Sequence, residues 1–373
     1  MDPNRQDTTP VQARQPVRRI WLPLLVVVGA LAVLLAATLR VVWAPGLNLP
    51  AAGPAGASGP NEHADAPPPA HREFPLRYVQ SAVVGGRGSG HAFHRSLEGL
   101  AVGPADDIYA LGDSEIRVFD SQGNLLRTWG APEKAGCLTV AADGRVYVGA
   151  SDRVEVFDAQ GARVGGFMAG EAGQAASITA IKVFAKDILV ADANARLIRR
   201  YDASGTQLGV IGTQNKTGSF MLPNDSLDID VDSRGVVYAT DTGRHQVSTW
   251  MMDGSPVSRF GKFGMVNPED FVGCCNPVNL ALAPDGNVVT AEKMVSRVKV
   301  YSPDGTLLAV IGPEPFDAEC IHIHLAVDSR GRILAGDPVR REIKIFSPAN
   351  TAGGNAPAGQ GTSSRTDTER NPA

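Results

Sequence analysis

From residue 97 onward, short apolar runs alternate with polar turns, and one arrangement of them returns six times. An apolar stretch such as LALA at 280–283 leads into a turn, Pro284-Asp285-Gly286, and a β-branched run then closes on an acid. An alternating strand follows and ends on an aromatic; a second turn, Asp304-Gly305, opens a last apolar run, LLAVIG at 307–312. Acid and aromatic set the register. Asp192 with Tyr201, Asp241 with Trp250, Glu292 with Tyr301 and Asp337 with Phe346 stand nine positions apart. Asp113 with Phe119 and Asp152 with Phe157 are tighter versions. The copies recur every 38 to 51 residues and occupy about 97–136, 137–176, 177–225, 226–276, 277–320 and 321–350.

Alternation at period two, Gly-containing turns and no helical period mean four short antiparallel strands per copy. Repeats of this length and strand count predict a propeller; a β-solenoid needs parallel coils and shorter repeats. The sixth copy has no fourth strand, because after Phe346 the chain runs into polar, Gly-rich sequence. The segment LRYVQSAVV at 76–84 can supply it from the other end, closing the ring and removing its exposed edges. The expected fold class is therefore all-β, a six-bladed β-propeller closed by an N-terminal strand.

A different pattern stands before it. Residues 20–39 carry no charge, and about 20 residues at ~1.5 Å each cross the ~30 Å core of a bilayer. Arg5, Arg14, Arg18 and Arg19 precede this run and only Arg40 closely follows, which places the N-terminus in the cytoplasm and the propeller in the periplasm or outside the cell. A cleaved signal peptide is the other reading, since VWA at 42–44 suits a peptidase; the apolar run is longer than such peptides use. The predicted organisation is a cytoplasmic segment at 1–19, a single transmembrane helix at 20–43, a Pro/Ala/Gly-rich linker at 44–73, the propeller at 74–350 and a disordered tail at 351–373. A net charge of −4 without a basic stripe argues against nucleic acid as a partner. Expected partners are the membrane, through 20–43, and a protein or small molecule on the propeller rim.

Finer features narrow the repeat type. GSGHAF at 88–93 with GLAV at 99–102, GSFMLPN at 218–224, and the run from Asp192 through Asn194 to Ile198 carry a Gly-rich lead, a Phe, a Pro and an acid-to-aromatic hairpin. In these residues the chain resembles the NHL-repeat family over about 74–348, with copies two and three lacking the Phe and Pro lead. The resemblance implies a six-bladed propeller that serves as a binding module or, in some relatives, as a metal-dependent enzyme with His or acidic residues on the axis. It also implies a Gly before each innermost strand. Here that position holds Gly99, Cys137, Thr179, Asp228, Asn279 and His324, a ring around one end of the channel.

Two readings of that ring stay open: a polar lining for channel water, or donors for a ligand or a metal such as Zn, Cu or Ca. The cysteines bear on the choice. Cys275 and Cys320 share a repeat position in adjacent copies, Cys274 stands beside the first, and His94 aligns with Cys274. With His322 and His324 they should crowd one sector of one rim. The open readings are a disulfide from Cys320 to Cys274 or Cys275, a vicinal one, a thiolate–imidazole site for zinc or copper, or free thiols. Asp228, Asp230 and Asp232 share one strand face and suit either a cation such as calcium or Lys182 and the Ser233-Arg234-Gly235 turn. The repeated acids suit turn-holding bonds to backbone, and no Ser/His/Asp order is present. The leading expectation is a membrane-anchored extracytoplasmic binding or scaffold module. The alternatives are a metal-dependent lyase or hydrolase using the channel, or a Cys-based redox or copper-handling protein.

Overall fold

The computed structural model describes residues 73–171, 173–213 and 219–349. The expected cytoplasmic segment, transmembrane helix and tail, with nearly all of the linker, lie outside these residues. Among the described residues no helix is long and apolar enough to cross a membrane.

Six four-stranded antiparallel sheets are present, one per repeat. Their innermost strands are Gly99–Val102, Ala135–Val140, Ile178–Phe184, Ile229–Val231, Asn279–Leu282 and His324–Val327. Each contacts the next, and the last contacts the first, so the sheets form a closed ring of blades 1 to 6. Blade 6 takes its outermost strand from the other end of the chain: Tyr78–Val84 pairs antiparallel with Glu342–Pro348, from Tyr78 opposite Pro348 to Val84 opposite Ile343, with one bulge. Closure by an N-terminal strand is thus as the strand count required.

The continuous apolar runs that end on the acids are the second strands. Ile108–Gly112, Val146–Ala150, Val237–Asp241, Val288–Glu292 and Ile333–Asp337 are buried at every residue. Both faces of such a strand lie against neighbouring blades, so no polar face survives in the sequence. Outer strands such as Leu125–Gly130 alternate between half-buried and exposed.

The core is divided into six clusters, each between two blades, as expected where every repeat packs only on its neighbours. The ladder aromatics occupy them one apiece, each on the side of the preceding blade: Phe119, Phe157, Tyr201, Trp250, Tyr301 and Phe346. They are the bolts between blades, which explains their period.

The Gly–Phe lead has a related cause. Gly212, ending the outer strand of blade 3, has a φ of +87°, and a Cβ there would stand 2.5 Å from the Phe220 ring. Gly261 and Phe271 repeat the arrangement after blade 4. Only glycine permits both the left-handed turn and the ring stacked on its backbone. One element was not expected: Gly170–Glu171 and Gln174–Ala175 form a small hairpin between blades 2 and 3.

Candidate functional site

The loops joining one blade to the next, and the turns between second and third strands, lie on the face where the innermost strands begin. We call this the mouth face. The described chain enters and leaves at the opposite face, where Tyr78 pairs with Pro348.

All six ring positions read from the repeat line one cavity of about 330 Å³ on the mouth face, together with Lys182, Asn224 and His322. Asp228 organises it. Its Oδ2 accepts from Asn279 Nδ2 at 3.1 Å and from the Leu280 N–H of the next blade at 3.0 Å, while Oδ1 accepts from the Ile229 N–H at 2.9 Å. Thr179 Oγ1 donates to the Leu227 carbonyl at 2.7 Å, a further tie between blades. Two buried amide atoms of lining residues have no partner within the described residues: Asn279 Oδ1 and Asn224 Nδ2. A buried polar atom left unpaired costs roughly 1–3 kcal/mol, so each amide would be stabilised by any partner that reached it.

Burial sets the charge state of the ring. It pulls the His324 imidazole down to about 4, with the neighbouring His322 acting in the same direction, and it lowers His322 as well, helped by Lys293. Burial raises the Asp228 carboxyl against the opposing pull of Lys182 and the three N–H donors, and pushes the Cys137 thiol up to about 12. At neutral pH the lining therefore presents uncharged imidazole and thiol. Because the folded-state value of His324 lies below its ordinary 6.5, the unfolded chain binds the extra proton between pH 4 and 6.5. This contribution is complete above 6.5 and is lost as pH falls to 4. We expect His324→Gln to reduce the loss of stability between pH 7 and pH 5 by about 1–2 kcal/mol. Parallel pH slopes for the two proteins in urea unfolding would contradict this.

The cysteine sector assembles only in part. Cys274 and Cys275 face each other, with their Sγ atoms 3.3 Å apart. Cys320 is not with them and all four cysteines are unbonded thiols, so the expected disulfide from Cys320 to Cys274 or Cys275 is absent. The reason is packing: Cys320 is turned into the core between blades 5 and 6, where its thiol donates to the His322 carbonyl at 3.4 Å. Burial, with the Asp337 carboxylate, pushes this thiol up to about 12. His94 also stays out; its side chain is exposed and its backbone N–H donates to Asp113 Oδ2 at 2.8 Å. Among the described residues, no three His, Cys, Asp or Glu side chains converge as a metal-binding group.

The strand of alternating acids is committed to the protein. Asp230 accepts from the Leu282 N–H at 2.9 Å and pairs with Lys182 at 3.3 Å, and Asp232 caps its turn through the Arg234 and Val236 N–H groups. The calcium reading of this strand therefore has no free carboxylate geometry behind it. Lining the opposite mouth, Asp328 pairs with Arg332 and Asp106 accepts from Ser329. The ladder acids hold loops in place, as Asp113, Asp192, Asp241, Glu292 and Asp337 each accept a backbone N–H from the loop entering their blade.

Sequence reading missed two things here. Three ladder acids pair with a buried base seven residues on: Asp192 with Arg199 at 2.8 Å, Glu292 with Lys299 at 3.2 Å and Asp337 with Lys344 at 3.7 Å. That spacing was visible, but a base in an alternating strand reads as solvent-facing. The second is a set of exposed apolar side chains on mouth-face loops of blades 4 to 6: Met221, Phe263, Met265, Val266, Met294 and Ile321.

Ring, channel and strand order define a six-bladed β-propeller, and comparison with solved structures agrees. The chain is similar to the WD40 β-propeller domain of Doa1 at 17% identity over 72% of this chain and 97% of that one, with a TM-score of 0.50. It is similar to a chain in a mitotic checkpoint complex structure at 12% identity, over 76% and 95% of the two chains, with a TM-score of 0.50. The streptogramin B lyase structure aligns at 13% identity over 74% and 98%, again with a TM-score of 0.50. At these identities the likeness is one of fold. No protein-family model matches the chain, and no curated protein matches it in sequence.

Proposed function

We propose that the protein is a membrane-tethered, extracytoplasmic propeller with NHL-type repeats that binds a protein or small-molecule partner on its mouth face. The observation that carries this reading is the concentration of unsatisfied surface on that face. Six exposed large apolar side chains on the loops of blades 4 to 6 share it with a cavity holding two unpaired amide atoms. Exposed apolar side chains gathered on one face mark interaction sites more often than scattered ones do. The uncharged run at 20–39, with four arginines before it and one close after, supports the tether and its orientation. A chain of similar fold is part of a mitotic checkpoint complex, with which protein binding by this fold is compatible. A channel-centred lyase or hydrolase is less well supported, because both Asp228 carboxylate oxygens already accept hydrogen bonds and, among the described residues, no third His, Cys, Asp or Glu joins His322 and His324 as a metal-binding group.

The test is a photo-crosslinking residue placed at Val266 on the mouth face, or at Val164 on the outer strand of blade 2, in the full chain in membranes. We expect a discrete adduct from position 266 alone, lost when Phe263 is replaced by Asp. Equal adducts from both positions, or none from 266, would remove the basis for the reading.

A further inference from the structure

The loop entering blade 5 reads Gly273-Cys274-Cys275-Asn276. Cys274 is exposed and Cys275 is buried, yet their sulfurs lie 3.3 Å apart. Consecutive side chains usually diverge, so something must hold the backbone on either side. On one side the Gly273 carbonyl is 2.7 Å from His245 Nε2 of blade 4. On the other, the fully buried Asn276 bonds to the carbonyls of Val272 and Lys293 through Nδ2, and its Oδ1 accepts the Lys293 N–H at 2.9 Å. The dithiol is pinned between blades 4 and 5.

A third sulfur joins it. Gly273 has a φ of +79°, and a Cβ there would stand 2.7 Å from Met294 Sδ, so the thioether lies in the space that a side chain on Gly273 would take. Met294 is 65% exposed. The Cys274–Cys275 pair and the Met294 thioether therefore flank Gly273 on the mouth face, with Cys274 and Met294 exposed and Cys275 buried. Hard oxygen donors do not: Glu292, in the adjacent strand, is occupied by the Val272 N–H, Arg297 and Lys299. The His245 imidazole is engaged by the Gly273 carbonyl through Nε2, and thiolate and thioether donors without a free carboxylate favour a soft ion, Cu(I) above all.

We propose that Cys274, Cys275 and Met294 form a binding site for Cu(I), with the two thiolates as principal ligands and the thioether as the third. Binding releases two thiol protons to solvent. Metal–sulfur bonds of about 2.3 Å require the sulfurs to part slightly, a motion that rotation of the exposed Cys274 side chain provides. Because the ligating form of each cysteine is the thiolate, affinity should rise with pH. The site shares Met294 with the exposed apolar set of the mouth face, whereas its two thiols are not part of that set, and Cys320 and Cys137 play no part in it.

The full chain, reduced and kept anaerobic in detergent, is titrated with Cu(I) in competition with a chromogenic Cu(I) chelator. We expect one ion per chain with a thiolate-to-copper absorption band in the near ultraviolet. Cys274→Ser, at an exposed position that leaves the packing intact, should abolish both. Met294→Leu should weaken binding about tenfold, and Cys320→Ser should change nothing. The proposal is overturned if the chelator keeps all the copper, if Cys274→Ser binds as well as the parent, or if Cys320→Ser loses binding while its circular dichroism is unchanged.

Discussion

A chain beginning at residue 86 is expected not to fold as a monomer, whereas one beginning at residue 73 folds and melts cooperatively. The difference between them contains the strand Tyr78–Val84, the outermost strand of blade 6. Without it, the edge of Glu342–Pro348 presents a row of unpaired N–H and C=O groups, an open template for another chain. The ladder bonds alone contribute on the order of 1 kcal/mol each, and several are lost together. Val84, 3% exposed, also leaves the cluster between blades 6 and 1, uncovering Phe93, Ile343 and Ile345. Because this is the seam of the ring, the damage reaches both flanking interfaces. Size-exclusion chromatography with light scattering should show the shorter chain as aggregate or oligomer. A synthetic peptide of residues 74–85 should restore a monomeric complex by strand addition. A shorter chain that is monomeric and as heat-stable as the longer one would mean that the ring holds without its N-terminal strand.

The second large effect is expected at Lys299. Its side chain is wholly buried, with Nζ 3.2 Å from Glu292 Oε2, bonds to the Pro268 and Asp270 carbonyls at 3.0 and 2.8 Å, and the Phe271 ring centroid at 4.5 Å. Burial pulls its ammonium down to about 8, with Glu292 opposing. Lys299→Ala removes the donor to the half-buried Pro268 carbonyl and one of the two donors to the Asp270 carbonyl, and leaves Glu292 with Arg297 as its remaining cation. Removing one member of a buried ion pair costs roughly 3–5 kcal/mol, which for a domain of this size lowers Tm by about 10 °C. Replacing both charges, as Glu292→Gln with Lys299→Met, should recover a substantial part of the loss, since the stranded carboxylate goes too. A single substitution that shifts Tm by no more than a surface change does would show that the pair does not stabilise the interface between blades 4 and 5.

Lys299 also shows how far a linear reading reaches. The acid-to-aromatic ladder located the blades, the interfaces and the closing strand, because each depends on period and turn chemistry that local sequence carries. The base two positions before the aromatic looked solvent-facing by alternation, yet in blades 3, 5 and 6 it is buried against the acid of its own blade. Alternation tells one face of a strand from the other; it does not tell whether a neighbouring blade covers both.

The site divides the same way. That Gly99, Cys137, Thr179, Asp228, Asn279 and His324 share one cavity followed from their common place in the repeat, and the structure has all six there. Repeat position also put Cys320 level with Cys275, but position along a strand leaves side-chain direction open. Packing turned Cys320 into a core and left the buried Cys275 facing Cys274 at the surface. Met294 carried no signal of its own, since its place against Gly273 depends on a turn and a loop folding together. Sequence alone therefore determined the four strands of each blade, the number of blades, their order around the ring and the strand that closes it, because these rest on local periodicity and on one missing strand. Tertiary structure decided which polar side chains pair, which stay free and which sulfurs meet, because those depend on contacts between blades far apart in the chain.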